Sequence, residues 1–151
     1  MAHVCLLTPV GYLTAFSDGD AVVAIEFGRV AAGNEADDIS ETARQQLNAY
    51  FAGCLRRFDL PLRPSGTAFQ QAVWQSMLDI PFGETRTYGE IANDVGSPAR
   101  AVGGACGANP IPIVIPCHRV LGKGGRLVGY SGGEGPEVKQ ALLTLEGALL
   151  I

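Results

Sequence analysis

The sequence predicts a mixed α/β fold of the α+β type, in which a small antiparallel sheet with one helix precedes a mostly helical region. Two apolar runs near the N-terminus are separated by the turn-forming residues 17–20, a pattern typical of a β-hairpin. Apolar residues then repeat at helical spacing over residues 39–51, and again over most of the chain after residue 67. The 151 residues suffice for one sizeable domain or two small ones.

The first part of the chain contains the predicted sheet. We expect strands at residues 12–16 and 22–27, followed by a helix that has Asp38 and Glu41 as its cap and ends at Gly53. These elements form a unit that can bury one face of the sheet against the helix.

Two features mark the end of this part. Apolar residues alternate along residues 58–62, which predicts a short edge strand. Residues 63–66, with the sequence RPSG, have the composition of a linker. We therefore expect one domain over residues 1–63 and a second over residues 64–151.

The second part is predicted to be mostly helical. Thr67 and Gln70 form a capping box at the start of its first helix, which ends before a proline. Two short helices, over residues 88–95 and from residue 99 to about 107, are joined by a tight turn and form a helix-turn-helix pattern. A closing helix over residues 136–146 has proline at its first position and glycine after its end.

The composition argues against several classes of protein. The formal net charge of −4 is unfavourable for nucleic-acid binding. Because the acidic residues lie mainly in residues 1–63, a local DNA-binding surface is still possible in the second part.

No apolar run approaches the roughly 20 residues of a membrane span and no signal peptide is evident, so a soluble, intracellular protein is expected. The four cysteines lack CxxC spacing and only two histidines occur, so neither a zinc site nor a disulfide framework is expected. The sequence contains no cofactor motif.

The segment most indicative of chemistry is Cys117-His118, which closely follows the apolar residues 111–115. A thiol at the end of a buried, strand-like run and beside an imidazole suggests cysteine chemistry at a pocket wall. A free cysteine is more often a small buried hydrophobe, which is the interpretation expected for Cys5, Cys54 and Cys106. Because neighbouring side chains on a strand point to opposite faces, either the chain turns at Cys117 or a water bridges the two groups.

The second helix of the helix-turn-helix pattern has a nearly bare surface, formed by Ala99, Ala101, Gly103 and Gly104. Each glycine costs about 1 kcal/mol of helix stability relative to alanine. Close packing against another helix is the more common reason for such a surface, and close approach to a ligand or a nucleic-acid backbone is the alternative. Arg100 is the one long cation on this helix and is placed to reach outward.

Six motifs occur in a fixed order in the second part of the chain. They are GTAFQQAVW at residues 66–74, IPFGET at 80–85, ARAVGG at 99–104, GANP at 107–110, IPCHRV at 115–120 and YSGG at 130–133. Together they closely resemble the O6-alkylguanine-DNA alkyltransferases, also called methylated-DNA-protein-cysteine methyltransferases, over about residues 64 to 147. The resemblance implies a ribonuclease-H-like N-terminal domain and a winged-helix-like helix-turn-helix.

The resemblance implies a role for each residue around the thiol. Cys117 would take the alkyl group from O6 of guanine onto its own sulfur. It would also take the alkyl group from O4 of an alkylated thymine. His118 would remove the thiol proton through a water, with Glu146 orienting the imidazole. Asn109 would brace the helix against the active-site turn. The thioether product has no evident route back to the thiol, so one molecule should repair one lesion.

The resemblance also implies a DNA-binding mode. The second helix would enter the minor groove of double-stranded DNA through its bare surface, and Arg100 would fill the gap left by an extruded nucleotide. Tyr88 would help to turn the nucleotide out and give a proton to the departing guanine. The base pocket would be formed by Pro112, Val120, Tyr130 and Ser131.

The remaining expectations concern partners, location and rival functions. We expect a cytoplasmic monomer, associated with the nucleoid in a prokaryote, that needs no metal, cofactor or protein partner. We also expect the cations Arg86, Arg100, Arg119, Lys123 and Arg126 to cluster partly near the DNA. One rival is a cysteine hydrolase that uses Cys117 and His118 and turns over. Another is a binding module, either a helix-turn-helix regulator or an alkyltransferase-like protein that recognises damage without repairing it.

Overall fold

The computed structural model describes residues 1–30, 35–127 and 135–149. The chain divides into two compact units, Met1–Ser65 and Gly66–Ile151. The mixed fold expected from the sequence is confirmed, since the first unit contains a small antiparallel sheet with a helix and the second is mostly helical. No helix in the described ranges combines the length and the apolar character that crossing a membrane requires.

The sheet of the first unit has three antiparallel strands, β1 (Ala2–Thr8), β2 (Gly11–Ser17) and β3 (Val22–Phe27), in the order β1-β2-β3. The last two confirm the predicted hairpin, whereas β1 was not predicted. Its signal is present in the sequence, because Val4 and Leu6 alternate with less buried residues and are themselves buried. Because the link between β1 and β2 is short, the alternation in β1 appears in the sequence as part of one longer apolar segment.

Helix α1 (Asp38–Phe51) packs against the sheet and confirms the predicted helix. Its cap differs from the expectation: the N-cap is Asp37, whose carboxylate accepts from the Ser40 backbone amide at 2.8 Å. The serine hydroxyl in turn accepts from the Asp37 amide at 3.0 Å, which completes a capping box.

The predicted edge strand over residues 58–62 is wrong, because Leu62 forms only an isolated bridge with Val22 in the described part of the unit. Two hydrogen bonds around Val22, from its amide to the Pro61 carbonyl and from the Arg63 amide to its carbonyl, tie the segment to β3. A proline amid the alternation removes one of the donors that a strand would need.

The second unit begins at Gly66, whose position is fixed by the tryptophan of helix α2 (Ala68–Leu78). A Cβ on Gly66 would lie 2.5 Å from the Trp74 ring, so only glycine fits there. The predicted capping box between Thr67 and Gln70 is confirmed.

Three further helices follow, α3 (Tyr88–Val95), α4 (Ala99–Gly107) and α5 (Pro136–Leu145). All three match the predicted positions. Helix α3 ends on Gly96, which adopts a left-handed conformation at φ +68°, and α4 starts three residues later. The two helices and their tight connection form the helix-turn-helix.

A short parallel pair of strands, β4 (Arg86–Thr87) and β5 (Val120–Leu121), was not predicted. This pairing places the segment before α3 beside the segment after Cys117. Two-residue strands carry too little periodicity to be recognised in a sequence.

The apolar residues 111–115 do not form the strand-like run that we expected. They form a tight turn in which the Ile115 amide donates to the Ile111 carbonyl at 2.9 Å, and all five side chains are buried. Ile113 adopts a positive φ of 75°, an uncommon conformation for a β-branched residue. Prolines at positions 110 and 112 remove two backbone donors, which disfavours a sheet pairing.

Candidate active site

The thiol of Cys117 lies at the start of a 3₁₀ turn, Cys117–Arg119, directly after the buried turn at residues 111–115. The Cys117 amide donates to the Ile115 carbonyl at 2.8 Å, and the Arg119 amide donates to the Pro116 carbonyl at 3.0 Å. Of the two alternatives left open by the sequence, the chain does turn at Cys117. Only 7% of the residue is exposed, so a reactant has to reach the sulfur through a narrow opening.

His118 is fully buried, and its imidazole is held by the carboxylate of Glu146. His118 Nε2 lies 2.8 Å from Glu146 Oε2. The glutamate caps the C-terminal end of α5, so that helix fixes the position of the imidazole. His118 Nδ1 is also buried and has no hydrogen-bond partner among the described residues, which leaves this nitrogen available to an incoming group.

Opposing effects act on the thiol of Cys117. Burial, the largest effect, raises the pKa of Cys117. A hydrogen bond with the Asn109 side chain, the positive charge of Lys139 and the backbone amides of Cys117 and His118 lower this pKa. The resting thiol is therefore protonated, but the groups around the sulfur favour the thiolate once the proton is removed.

Burial also acts on His118, in the opposite direction. It lowers the pKa of His118 from its ordinary value of 6.5, and the hydrogen bond and charge of Glu146 raise it. The positive charges of Arg119 and Lys139 lower it further. The imidazole is consequently neutral near pH 7 and able to accept a proton.

Asn109 braces the turn that precedes Cys117. Its side-chain amide donates to the Ile115 carbonyl at 2.8 Å, and its side-chain oxygen accepts from the Ile111 amide at 2.9 Å. The side chain therefore joins both ends of the buried turn to the segment that leaves α4. The same side chain lowers the pKa of Cys117, so it also acts on the reacting thiol.

Tyr88 and Lys139 form a second group near the sulfur. Tyr88 is the first residue of α3 and is partly buried, and burial raises the pKa of its phenol, with the Cys106 and Cys117 sulfurs as further causes. Lys139 on α5 is fully buried, with Nζ 5.5 Å from the centre of the Tyr88 ring. The resemblance matches Lys139 to a lysine of the family without giving it a definite role, and the sequence of the helix carries no sign that this lysine is buried.

The bare face of α4 is directed away from the protein interior. Val102, Ala105 and Cys106 form the buried face, and the Ala105 carbonyl accepts from Trp74 Nε1 at 2.8 Å. Ala99, Arg100, Ala101 and Gly104 are exposed, and Gly103 is partly exposed. Apart from the chain neighbours of each glycine and the backbone of α4 itself, no atom of the described residues lies within 4 Å of a Cβ built on either glycine. Close helix packing, the more common interpretation of this surface, is therefore wrong for these two glycines.

The predicted base pocket is described in part. Pro112 and Val120 are buried and flank the turn that holds Cys117. Tyr130 and Ser131 lie outside the described residues.

Two expectations about other residues are wrong. Arg119 does not belong to a surface cluster near DNA, because it is buried and its Nε donates to Glu146 Oε1 at 2.8 Å. Cys54 is exposed and Cys5 is partly exposed, so of the three only Cys106 is a buried small hydrophobe. Cys106 Sγ lies 3.5 Å from Met77 Sδ, and burial raises the pKa of Cys106 to about 12, which keeps it a thiol.

No group of three or more His, Cys, Asp or Glu side chains within the described ranges is arranged to hold a metal ion.

Two family models match the chain. The model of the 6-O-methylguanine DNA methyltransferase DNA-binding domain matches residues 68–148, more than half of the chain. The model of the ribonuclease-like domain of the same proteins matches residues 3–64. The chain belongs to the 6-O-methylguanine DNA methyltransferase family. The resemblance found in the sequence is thereby confirmed.

Curated relatives carry the name methylated-DNA–protein-cysteine methyltransferase. The relative from Methanosarcina acetivorans is 52% identical over 116 residues, which are 76% of this chain and 73% of that protein. The relative from Mycobacterium tuberculosis H37Rv is 59% identical over 106 residues, 69% of this chain and 63% of that protein. The relative from Haemophilus influenzae is 44% identical over 149 residues, 92% of this chain and 82% of that protein.

Solved structures agree with the family assignment. The structure of Mycobacterium tuberculosis OGT in complex with DNA superimposes with a TM-score of 0.88 at 45% identity. It covers 98% of this chain and 94% of that one. The structure of the Mycobacterium tuberculosis O6-methylguanine methyltransferase gives a TM-score of 0.86 at 43% identity, with 99% and 94% covered.

Proposed function

We propose that the protein repairs double-stranded DNA by moving an alkyl group from O6 of guanine, or O4 of thymine, onto Cys117. The observation that carries this proposal is a buried thiol next to a neutral imidazole. A carboxylate holds the imidazole at Nε2, and Nδ1 has no hydrogen-bond partner among the described residues. A buried thiol of this kind reacts with a substrate that enters its pocket and not with solvent.

The reaction consumes the protein. A water relays the thiol proton to His118 Nδ1, and the thiolate attacks the alkyl carbon. The bond between this carbon and O6 breaks as the sulfur–carbon bond forms, and guanine leaves with the bonding electrons. The thioether cannot ionise or lose its alkyl group to water, so one molecule repairs one lesion and no cofactor takes part.

The departing guanine needs a proton, which the phenol of Tyr88 supplies. The raised pKa of Tyr88 opposes this donation, because a phenol that holds its proton more tightly is a weaker acid. A phenol is neutral near pH 7 even at its ordinary pKa, so the proton is present when the guanine anion forms. Solvent then reprotonates the tyrosine after the base has left.

The bare face of α4 makes the approach to DNA. Ala99, Ala101, Gly103 and Gly104 allow the helix backbone to come close to the minor groove, which carries little sequence information and so suits damage at any sequence. Exposed Arg100 occupies the space of the extruded nucleotide, because base flipping costs a few kcal/mol in lost stacking. The flipped base lies against Pro112 and Val120, which are buried beside the turn that holds Cys117.

The active form is a monomer of two domains, residues 1–63 and 64–151, that works in the cytoplasm and, in a prokaryote, is associated with the nucleoid. The acceptor, the imidazole and the exposed face of α4 all belong to the second unit of one chain. The reaction needs no metal, cofactor or second protein.

A labelling experiment tests the transfer. The protein is incubated with an excess of duplex DNA whose O6-methylguanine carries a labelled methyl group, and the label is mapped by peptide mass spectrometry. We expect one methyl group per chain on Cys117, no labelling of Cys117→Ala and unchanged labelling of Cys54→Ala. The second variant is a matched control, since Cys54 is the exposed cysteine that unassisted alkylation would favour.

The same experiment separates the rival functions. Consumption of DNA lesions beyond one equivalent with no label on the protein would indicate a hydrolase. Tight binding of the methylated duplex with no loss of the methyl group would indicate a damage-recognition protein.

The DNA-binding role of Arg100 is tested by comparing two substrates. Arg100→Ala should slow repair of the duplex more than reaction with free O6-alkylguanine base, because only the duplex requires extrusion. Arg57→Ala, which removes an exposed charge from the first unit, is the control for net charge. Equal losses on both substrates would contradict the extrusion role.

A further inference from the structure

Arg119 is a buried cation that the proposed transfer does not use. It follows His118 directly and is only 7% exposed. A guanidinium cannot lose its charge in a protein, and a buried charge is costly unless it is paired and hydrogen-bonded. The groups that pair with Arg119 therefore indicate the role of its charge in the site.

Two of the groups that pair with Arg119 are the carboxylate oxygens of Glu146. Arg119 Nε donates to Oε1 at 2.8 Å, and the second terminal nitrogen of the guanidinium donates to Oε2 at 2.9 Å. This two-point arrangement fixes the plane of the carboxylate as well as its position. Oε2 is also the atom that lies 2.8 Å from His118 Nε2, so one carboxylate is shared by the arginine and the histidine.

A turn from another part of the unit holds the arginine in place. The first terminal nitrogen of Arg119 donates to the Ile80 carbonyl at 2.7 Å, and the guanidinium carbon lies 5.9 Å from the centre of the Phe82 ring. Gly83 has a φ of +84°, and a Cβ there would lie 3.2 Å from the Glu146 backbone carbonyl. The IPFG motif at residues 80–83 thus contacts both members of the ion pair.

The ion pair determines which nitrogen of His118 is free. A carboxylate that pairs with a guanidinium stays ionised and only accepts hydrogen bonds, so Nε2 must carry the imidazole proton. Without the guanidinium, a buried glutamate next to an imidazole is able to hold the proton itself. It would then donate to Nε2, and the single imidazole proton would move to Nδ1, where it blocks transfer from the thiol.

We propose that Arg119, held by the turn at residues 80–83, is a positioning residue that keeps Glu146 ionised and thereby presents His118 Nδ1 as the acceptor of the thiol proton. The inference rests on the proposed alkyl transfer. Arg119 touches neither the thiol nor the imidazole in this scheme, and it acts through the carboxylate.

Nuclear magnetic resonance tests the tautomer directly. The chain has only two histidines, so His3→Asn assigns the side-chain nitrogen signals of His118. In the resting protein near pH 7.5, we expect long-range ¹H–¹⁵N spectra to show a protonated Nε2 and an unprotonated Nδ1. In Arg119→Gln the proton should move towards Nδ1. Single-turnover methyl transfer at saturating DNA should fall by about 10²-fold or more, the usual contribution of a positioned base.

Two further variants keep the inference testable if Arg119→Gln does not fold. Arg119→Lys retains the charge but cannot make two parallel hydrogen bonds, so it should keep the Nε2 proton and lose less of the rate. Gly83→Ala leaves Arg119 in place and displaces the Glu146 backbone, so it should disturb the tautomer as well. DNA affinity should be unchanged in all three, because none of these positions lies on α4.

The outcomes are distinct. An unchanged Nε2–H tautomer in folded Arg119→Gln, or a rate that falls only in proportion to the folded fraction, would show that Arg119 is purely structural. If the wild-type protein does not methylate Cys117 at all, the proposed function fails, and the tautomer spectra still decide the effect of Arg119 on His118.

Discussion

Replacing Gly104 by alanine separates the folding role of helix α4 from its proposed DNA role, because the two effects have opposite signs. Apart from its chain neighbours and the backbone of α4, no atom of the described residues lies within 4 Å of the added methyl group, so the folded protein should accept it without strain. Alanine is preferred over glycine in a helix by roughly 0.5–1 kcal/mol. The free energy of unfolding should rise by this amount, and Tm by about 1–4 °C for a chain of this size.

DNA affinity should change in the other direction. If the helix backbone lies against the minor groove, the methyl group meets DNA atoms where glycine meets none. Overpacking by one methyl group costs about 1–3 kcal/mol, which corresponds to roughly a 5-fold to 150-fold loss of affinity. Fluorescence anisotropy with a methylated duplex measures the affinity, in a Cys117→Ala background so that repair does not consume the ligand. Thermal denaturation of the same preparation measures stability.

Asn48→Ala on α1 is the matched control. Asn48 is an exposed helical residue of the first unit, so alanine should give a comparable stability gain and leave DNA affinity unchanged. A stabilised Gly104→Ala protein with unchanged DNA affinity would refute the assignment of this face to DNA. A destabilised one would restore the interpretation that the glycine serves packing.

Three further predictions concern the site. Burial lowers the pKa of His118 below 6.5, so the protonated imidazole, which cannot accept a proton, forms only at more acidic pH. The single-turnover rate should therefore be constant between about pH 8 and about pH 6.5 and should decrease at lower pH. Lys139→Gln removes a positive charge that lowers the pKa of Cys117, so thiol titration should shift to higher pH and methyl transfer near neutral pH should slow, with partial recovery in alkaline buffer. An unchanged thiol titration would rule out this electrostatic effect. Asn109→Ala leaves the Ile111 amide without the side-chain oxygen that accepts from it and removes one of the two donors to the Ile115 carbonyl. Chemical denaturation should therefore show a loss of about 1–3 kcal/mol and repair should slow. Full repair activity in that variant would contradict the bracing role.

Local sequence patterns predicted most of the helical elements. Capping boxes, helix-ending glycines and apolar spacing are properties of a few neighbouring residues, and α2, α3, α4 and α5 were recognised from them. The cap of α1 was placed one residue too late, because Asp37 and Asp38 are both suitable caps and only the structure shows that Asp37 accepts from Ser40.

Contacts between distant segments explain what the sequence could not predict. The turn at residues 111–115 resembles a strand in composition, and its closure depends on the Asn109 side chain and on the left-handed conformation of Ile113. Arg119 looks like an exposed cation until Glu146 and the Ile80 carbonyl are brought to it from elsewhere in the unit. Burial of a charge is decided by its partners, which periodicity does not reveal.

The burial of Arg119 also bears on how an acidic chain can bind DNA. Residues 66–151 contain six lysines and arginines, and two of these, Arg119 and Lys139, are buried in the site. Arg86 pairs with Asp94 at 3.1 Å. Few cations remain for phosphate contacts, and the counterion-release contribution to affinity is correspondingly small. In the binding mode proposed above, close approach of α4 to the minor groove compensates for this small contribution, and the two open glycines of that helix would then serve DNA binding.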